Sequence, residues 1–118
     1  MSKVVKFGGS SLASAEQFRK VGSIIKADPE RRFVVPSAPG KRSRDDEKVT
    51  DMLYACYALA EEGSDFSEKL SAIRARYEEI IKGLSLKLSL DEEFQKIEEN
   101  FRNKAGKDYA ASRGEYLN

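Results

Sequence analysis

Two short apolar runs near the start of the chain frame a helical pattern. The first, KVVKF at 3–7, leads directly into two glycines and two serines, and the second, RFVVP at 32–36, is rich in β-branched residues. Both runs are typical of buried strands. Between them, Ser14 and Gln17 belong to a capping box, and the apolar spacing predicts a helix over about 14–27. A strand, a glycine turn, a helix and a strand make a βαβ unit, whose parallel strands bind ligands beyond their carboxyl ends.

Three apolar stripes at helical spacing follow, and each predicts a helix with one buried face. Capping boxes precede the second and third helices, and Gly63, Gly83 and Gly106 are expected near the three helix ends. A further helix is expected from about Asp108. The stripes are Val49, Met52, Leu53, Cys56 and Ala60; Phe66, Leu70, Ile73, Tyr77 and Ile81; and Leu90, Phe94, Ile97 and Phe101.

Two connecting segments are less regular. Residues 84–90, LSLKLSL, alternate between apolar and polar. This fits a half-buried strand or an extended linker equally, and both interpretations stay open. The segment from Pro36 to Glu47 is polar, with basic residues followed by acidic ones. We expect this loop to be mobile without a ligand, either as a plain solvated loop or as a lid over a substrate.

A lysine inside the first strand, Lys6, points to an anion site. An ammonium group buried between apolar neighbours needs a negative partner, and the two glycines that follow let the backbone approach a ligand closely. Ser10 and Ser11 add hydroxyl donors. A lone pair of glycines is more often a tight turn, but a second strand end with Ser37 and Gly40 favours phosphate binding. The common nucleotide motifs with spaced glycines are absent from the sequence.

The amino-acid composition excludes several kinds of partner and several kinds of site. The 118 residues are the length of one domain, and 21 basic and 20 acidic side chains leave no net field to attract nucleic acid or a membrane surface. The single cysteine, Cys56, lies on an apolar stripe and is interpreted as a core residue, and histidine is absent. An internal disulfide, a Cys/His zinc site and a histidine-based triad are therefore excluded. Without a long apolar run or a secretory signal, we expect a cytoplasmic protein.

Four motifs follow one another along the chain: KFGGSS at 6–11, VPSAPGKR at 35–42, VTDML at 49–53 and SRGE at 112–115. In this order, with a helical insertion between the last two, they resemble the N-terminal part of aspartate kinases, which belong to the amino acid kinase superfamily. The resemblance covers the whole chain. Much of the superfamily shares the first motif, whereas the Thr-Asp pair that opens a helix and the later Gly-Glu point to aspartate kinases in particular.

The resemblance implies an α/β fold, the N-terminal part of a three-layer α/β/α amino acid kinase domain with a mostly parallel sheet, helix-rich in this portion. It implies ATP-dependent phosphorylation of the L-aspartate β-carboxylate to 4-phospho-L-aspartate, the first step of lysine, threonine and methionine (diaminopimelate) biosynthesis, with Mg²⁺ as cofactor. Lys6 would be the catalytic residue that neutralises the transferring phosphoryl group. The implied ATP and phosphate site is Lys6, Phe7, Gly8, Gly9 and Ser10, and the implied substrate site is Ser37, Thr50 and Glu115, with no metal ligand among them.

The residue types suit this chemistry. The β-carboxylate of aspartate is already ionised at neutral pH, so the reaction needs no general base but must bring two anions together. A lysine, backbone amides and Mg²⁺ can supply the positive charge that this requires. Outside the family context, Thr50 and Asp51 could simply begin a helix, and Glu115 could be a solvated helix residue.

Residues 1–118 are expected to be the amino-acid-substrate and phosphate-binding part of a larger kinase domain. The resemblance implies a remainder of that domain and regulatory ACT domains that are absent from this chain. We therefore expect the chain alone to be inactive and the full-length protein to be a homo-oligomer. Its partners would be L-aspartate and ATP, with neither nucleic acid nor a membrane. Two alternatives stay open: a non-catalytic fragment or interaction module that retains the anion contacts, and a sister amino acid kinase with another substrate.

Overall fold

The structure, a computed structural model, describes residues 1–103 and 106–118, which form an α/β fold of two regions. The first region is a βαβ unit and the second is a cluster of four helices. This confirms the α/β class and the helix-rich character expected from the sequence. The first region consists of strand β1 (Lys3–Phe7), a 3₁₀ turn (Gly9–Leu12), helix α1 (Ala15–Ala27) and strand β2 (Arg31–Pro36); the second consists of α2 (Val49–Glu61), α3 (Ser67–Gly83), α4 (Asp91–Arg102) and α5 (Lys107–Leu117).

The two strands pair in parallel, and α1 forms the crossover between them. Phe7 lies beside Pro36 in the register, so both strands end at the same edge of the sheet. Helix α1 begins as the capping box predicts, since the Gln17 backbone N–H donates to the Ser14 hydroxyl at 3.4 Å. These observations confirm the βαβ unit and place the glycine turn next to the end of β2.

The hydrophobic core lies in the four-helix cluster, and its residues come largely from the three predicted stripes. One predicted face needs correction: α3 buries Ile80 and the charged Arg76, while Ile81 is only partly buried. Arg76, Tyr77 and Ile80 stand three, four and seven residues after Ile73, so their side chains lie on the same buried face of the helix. No described helix combines the length and the apolar character needed to cross a bilayer. The buried cluster is Ala38, Val49, Met52, Leu53, Cys56, Ala60, Phe66, Leu70, Ile73, Tyr77, Phe94, Ile97, Phe101 and Ala110.

Residues 84–90, which lie wholly within the described part of the chain, form no strand. They leave α3 through a turn and continue without regular structure to α4, with Leu86 and Leu88 50% and 56% exposed. The only sheet of the described residues is the β1–β2 pair, so the linker interpretation is correct and the strand interpretation is wrong. Helix α4 ends at Arg102, earlier than the predicted end near Gly106, and residues 104–105 of that prediction lie outside the described residues.

The two-stranded sheet is far less buried than the helical core. Val4 and Phe33 are 69% and 58% exposed, and Val34 and Val35 are exposed as well. Lys6 is also exposed, so the expectation of a desolvated ammonium between apolar neighbours is wrong. The physical reason is that the sheet has only two described strands, and no described residue covers the face that bears Val4 and Lys6.

Candidate functional site

A cleft of about 500 Å³ opens where the ends of β1 and β2 meet the start of α2 and the last turn of α5. Parallel strands place ligand sites at this edge of a sheet. Of the predicted site residues, the structure brings together Gly9, Ser10, Ser37, Thr50 and Glu115. The complete lining is Gly9, Ser10, Ser37, Ala38, Pro39, Gly40, Lys41, Lys48, Thr50 and Glu115.

Two glycines form the floor of the cleft, Gly9 and Gly40, through direct contact of their backbones. The Gly40 N–H donates to the Gly9 carbonyl at 2.8 Å. A Cβ on Gly40 would lie 2.6 Å from the Gly9 carbonyl carbon, and a Cβ on Gly9 would lie 3.1 Å from the Ala38 carbonyl oxygen. Loop packing therefore explains glycine at both positions. Gly8, in contrast, has an ordinary extended backbone and open space around it.

A close contact between α5 and the loop after β2 positions Glu115. Gly114 packs against Ala38, and a Cβ at Gly114 would lie 2.4 Å from the Ala38 Cβ. At the end of α5, the Asn118 side-chain amide donates to the Ser37 carbonyl. These two contacts hold the last turn of α5 against the end of β2, which places Glu115 on one wall of the cleft.

The Glu115 carboxylate is exposed, and no ion pair joins it to another described side chain. The preceding residue, Gly114, accepts a hydrogen bond of 2.9 Å from the buried Tyr77 hydroxyl. Burial raises the pKa of Tyr77, and the negative charge of Glu115 adds to this effect while Arg76 opposes it. Tyr77 therefore serves as a neutral donor that fixes α5, and Glu115 remains available to a positively charged ligand group.

Thr50 reaches the cleft from the first turn of α2. This helix begins at Val49, whose N–H donates to the Pro39 carbonyl at 3.0 Å. Its N-cap is Lys48, which makes no side-chain cap bond. Thr50 and Asp51 lie in the first turn of α2, as their plain interpretation as helix-starting residues predicts. Thr50 is half-buried and lines the cleft, so its hydroxyl can meet a ligand.

Three residues of the predicted phosphate site, Lys6, Phe7 and Gly8, are not among the cleft residues. They lie at the end of β1, where the Ser37 N–H donates to the Phe7 carbonyl at 3.0 Å and joins the two strand ends. Lys6 makes no ion pair with the described residues. The structure thus places Lys6 on the exposed sheet, beside the cleft region but outside its lining.

Three charged residues of the cleft region escape prediction from the sequence. Lys41 and Lys48 line the cleft and pair with no described carboxylate. Their sequence signal is weak, since one merely follows a loop glycine and the other merely precedes a helix. Arg76 lies behind the floor, 4% exposed, and its Nη2 donates to the Gly40 carbonyl. Its signal is the spacing of three residues from Ile73 on a buried stripe.

Ion pairs tie the loop between β2 and α2 to the helical cluster. Arg42 Nε lies 2.7 Å from Asp46 Oδ2, and Arg42 Nη1 lies 3.0 Å from Glu79 on α3. The hydrogen bond from Arg42 holds the pKa of the Asp46 carboxyl well below its usual range. These contacts argue against the freely mobile loop that the sequence suggests.

The described side chains provide neither a reactive thiol nor a metal cluster. Cys56 is 0% exposed, and burial raises the pKa of its thiol to about 11, which confirms the interpretation as a core residue. Among residues 1–103 and 106–118, no group of three or more His, Cys, Asp or Glu side chains could hold a metal ion.

The chain was also compared with known proteins. No family model matches it. Aspartokinase 3 of Bacillus subtilis (strain 168) is 46% identical over 93 residues, which make up 79% of this chain and 20% of that protein. The chain therefore spans about a fifth of the length of this curated relative.

Solved structures of aspartate kinases resemble the fold. Clostridium acetobutylicum aspartate kinase matches 97% of this chain with 26% of its own, at 47% identity and a TM-score of 0.93. Escherichia coli aspartokinase III with aspartate and ADP (R-state) matches 99% of this chain with 27% of its own, at 28% identity and a TM-score of 0.74. The same enzyme with lysine and aspartate (T-state) matches 97% with 26%, at 29% identity and a TM-score of 0.67. The chain is thus a homologue of aspartate kinases and corresponds, in sequence and in fold, to about a quarter of such an enzyme.

Proposed function

We propose that residues 1–118 form the N-terminal part of an amino acid kinase domain, in an enzyme that uses ATP to phosphorylate L-aspartate on its β-carboxylate. The product would be 4-phospho-L-aspartate. The observation that carries this proposal is the cleft, where a carboxylate, hydroxyls and two lysines from separate segments converge at the ends of parallel strands. The homology supports aspartate and an adenine nucleotide as ligands, since Escherichia coli aspartokinase III was solved with aspartate and ADP.

The charged residues of the cleft match the charges of aspartate. They are Glu115, Lys41 and Lys48, and aspartate carries one ammonium and two carboxylates. Glu115 suits the ammonium, and the lysines suit the carboxylates, together with the hydroxyls of Ser37 and Thr50. The β-carboxylate is the nucleophile and is ionised at neutral pH, so no side chain has to remove a proton. The cleft has only to orient this carboxylate toward the phosphoryl group.

We assign the phosphate side of the reaction to Lys6, Phe7, Gly8, Gly9 and Ser10. The open space around Gly8 would let a phosphate approach the backbone closely. The exposed and unpaired ammonium of Lys6 can neutralise charge on the transferring group. Mg²⁺, when bound with ATP, would supply further neutralisation of the phosphates, although the described residues offer no cluster to hold it.

The wider assignments rest on the resemblance of the four motifs to aspartate kinases. We assign the full-length enzyme to the cytoplasm, as a homo-oligomer that acts at the first step of lysine, threonine and methionine biosynthesis. The homology to enzymes named aspartokinases supports the reaction itself. The compartment and the assembly need separate measurements, by fractionation and by the mass of the native particle.

The direct test is aspartate-dependent release of ADP by the purified enzyme that carries this chain. With ATP and Mg²⁺ present, turnover should require aspartate and should be absent with glutamate or uridylate. Turnover with either of those acceptors would indicate a sister kinase. Absence of turnover with all three acceptors would favour a non-catalytic module instead.

Replacing Glu115 by glutamine tests the substrate side of the site. Glu115→Gln keeps the shape and removes the charge proposed to meet the ammonium, so the KM for aspartate should rise while the KM for ATP stays constant. Loss of a charged hydrogen bond corresponds to ~1.5–3 kcal/mol, or about 10- to 150-fold. Glu92→Gln, at an exposed position on α4, is the matched control. Equal effects on both substrates, or none, would make Glu115 an ordinary surface residue.

A further inference from the structure

Arg76 on α3 is a buried cation directly behind the floor of the cleft. Its side chain is 4% exposed and shares a helix face with the core residues Ile73, Tyr77 and Ile80. Burial lowers the pKa of the guanidinium, but arginine stays protonated at neutral pH. A buried charge is unfavourable unless hydrogen bonds replace its contacts with water. The contacts of Arg76 therefore indicate why an arginine occupies this core position.

The guanidinium joins three separate backbone segments. Nη2 donates to the Gly40 carbonyl at 2.7 Å and to the Ala13 carbonyl at 3.2 Å, and Nη1 donates to the Glu47 carbonyl at 2.9 Å. Ala13 follows the 3₁₀ turn after β1, Gly40 forms part of the floor, and Glu47 precedes α2. One side chain thus contacts the glycine turn and both ends of the loop between β2 and α2.

Two carboxylates, Asp46 and Glu79, compensate the charge of Arg76 and of its neighbour Arg42. Asp46 Oδ2 lies 3.7 Å from Arg76 Nη1, but the same oxygen lies 2.7 Å from Arg42 Nε, so two arginines share it. The Nε of Arg76 has no hydrogen-bond partner among the described residues. Glu79, whose Oε2 lies 3.0 Å from Arg42 Nη1, is the second carboxylate, so two arginines and two carboxylates balance in charge behind the cleft.

We propose that Arg76 is a positioning residue for the cleft. By binding the carbonyls at both ends of the loop it fixes Lys41 and Lys48, and through Gly40 it maintains the floor. The inference rests on the proposed function, because the value of a fixed cleft lies in aligning aspartate with a phosphoryl group. The role requires a guanidinium, because its planar group can donate to several carbonyls at once. The ammonium of a lysine is compact and does not present the same planar arrangement of donors.

The test compares Arg76→Lys with Arg74→Lys in the full-length enzyme that carries this chain. Arg74 lies on the same helix and pairs with Glu78 and Asp91 outside the cleft, so Arg74→Lys should leave the kinetics unchanged. In Arg76→Lys, kcat/KM for aspartate should fall about 10²-fold, the usual effect of a misplacement of about 1 Å. Most of this loss should appear in KM. Amide hydrogens of residues 40–47 should exchange faster with solvent, while those of the α2–α4 core stay protected.

A second variant is needed because Arg76→Lys replaces a buried residue and could unfold the protein. Asp46→Asn removes the shared carboxylate at the edge of the same network and should change loop exchange and the aspartate KM in the same direction, by a smaller factor. Unchanged kinetics and loop exchange in both variants would overturn the positioning role. Activity lost in step with faster exchange throughout α2–α5 would also overturn it, because that pattern marks global destabilisation.

Different measurements test the proposed function and the positioning role of Arg76, so one can fail without the other. If the unmodified enzyme releases no ADP in response to aspartate, the proposed function fails. The exchange comparison between Arg76→Lys and Arg74→Lys needs no turnover, so it still decides whether Arg76 holds the loop.

Discussion

The βαβ unit and the four-helix cluster bury their apolar residues to very different degrees. In the cluster, Leu53, Ile73 and Phe101 are 0% exposed, whereas Val4 and Phe33 in the sheet are 69% and 58% exposed. The helices cover one another, while each described strand pairs with only one other strand and helix α1 makes limited contact with β2. The helical region is therefore packed by its own residues, and the sheet depends on cover that the described residues do not supply.

The two regions also carry different parts of the proposed chemistry. Thr50 and Glu115, proposed to hold the amino acid, lie on helices of the packed cluster. Lys6 and Gly8, proposed to meet the phosphates, lie at the end of the exposed sheet. The chain itself therefore orders the amino-acid side and the part of the phosphate side at Gly9 and Ser10, whereas Lys6 and Gly8 stand on a sheet that the described residues leave exposed.

The largest expected effect is complete loss of turnover in the 118-residue chain by itself. One wall of a phosphate cleft cannot align ATP with aspartate, because phosphoryl transfer needs donors and positive charge on both sides of the group. Exposed Val34 and Val35 should also promote association of the isolated chain. Coupled detection of ADP, run beside thermal unfolding and with the full-length enzyme as control, checks this. Release of ADP that depends on aspartate, from a cooperatively folded 118-residue chain, would show that this chain needs no further structure for turnover.

Lys6→Ala in the full-length enzyme should affect catalysis without affecting the amino-acid side. We expect kcat to fall by about 10²-fold or more, since the charge acts mainly in the transition state, with little change in the aspartate KM. Glu115→Gln should do the opposite: the aspartate KM should rise and kcat should change little. Lys3→Ala, on the same strand and ion-paired to Asp28 at 2.7 Å, is the control. A near-normal kcat in Lys6→Ala would remove the catalytic assignment.

Two glycine substitutions separate packing from ligand approach. Gly40→Ala should destabilise the protein by about 1–3 kcal/mol, because its methyl group would overlap the backbone of Gly9. Gly8→Ala meets nothing within 4 Å, so it should leave the unfolding midpoint unchanged and raise the KM for ATP. Chemical denaturation and steady-state kinetics of both variants measure this. Equal destabilisation by the two changes would mean that Gly8 is also a packing residue.

The parts of the fold that the sequence predicts correctly are those decided by neighbours along the chain. The cap of α1 at Ser14 and the buried stripe of α2 depend on residues within a few positions of one another, and both are confirmed. Parallel pairing follows from the βαβ order. In the site, motif order and resemblance select Ser37, Thr50 and Glu115, which meet in one cleft although they come from different elements.

The features of the fold and the site that the sequence does not predict depend on contacts between residues far apart in the chain. Whether Lys6 is buried depends on which strands lie beside β1, and its local sequence carries no such information. The alternation of residues 84–90 fits a strand, but pairing needs a second strand that the described residues do not provide. Arg76 is buried because carbonyls up to 63 positions away converge on its guanidinium. Periodicity identifies the position as a core one without indicating how a charge could be tolerated there.

Gly114 shows that a steric constraint can resemble a chemical one. Its missing side chain lets α5 lie against Ala38, and any larger residue would push the helix away together with Glu115. In a mutagenesis screen scored by activity, Gly114 would therefore look as sensitive as its neighbour, although it offers a substrate no functional group. A map of mutational tolerance would trace the seam between α5 and the loop after β2 as clearly as the cleft. Only pairwise substitutions that exchange small residues across that seam would tell the two apart.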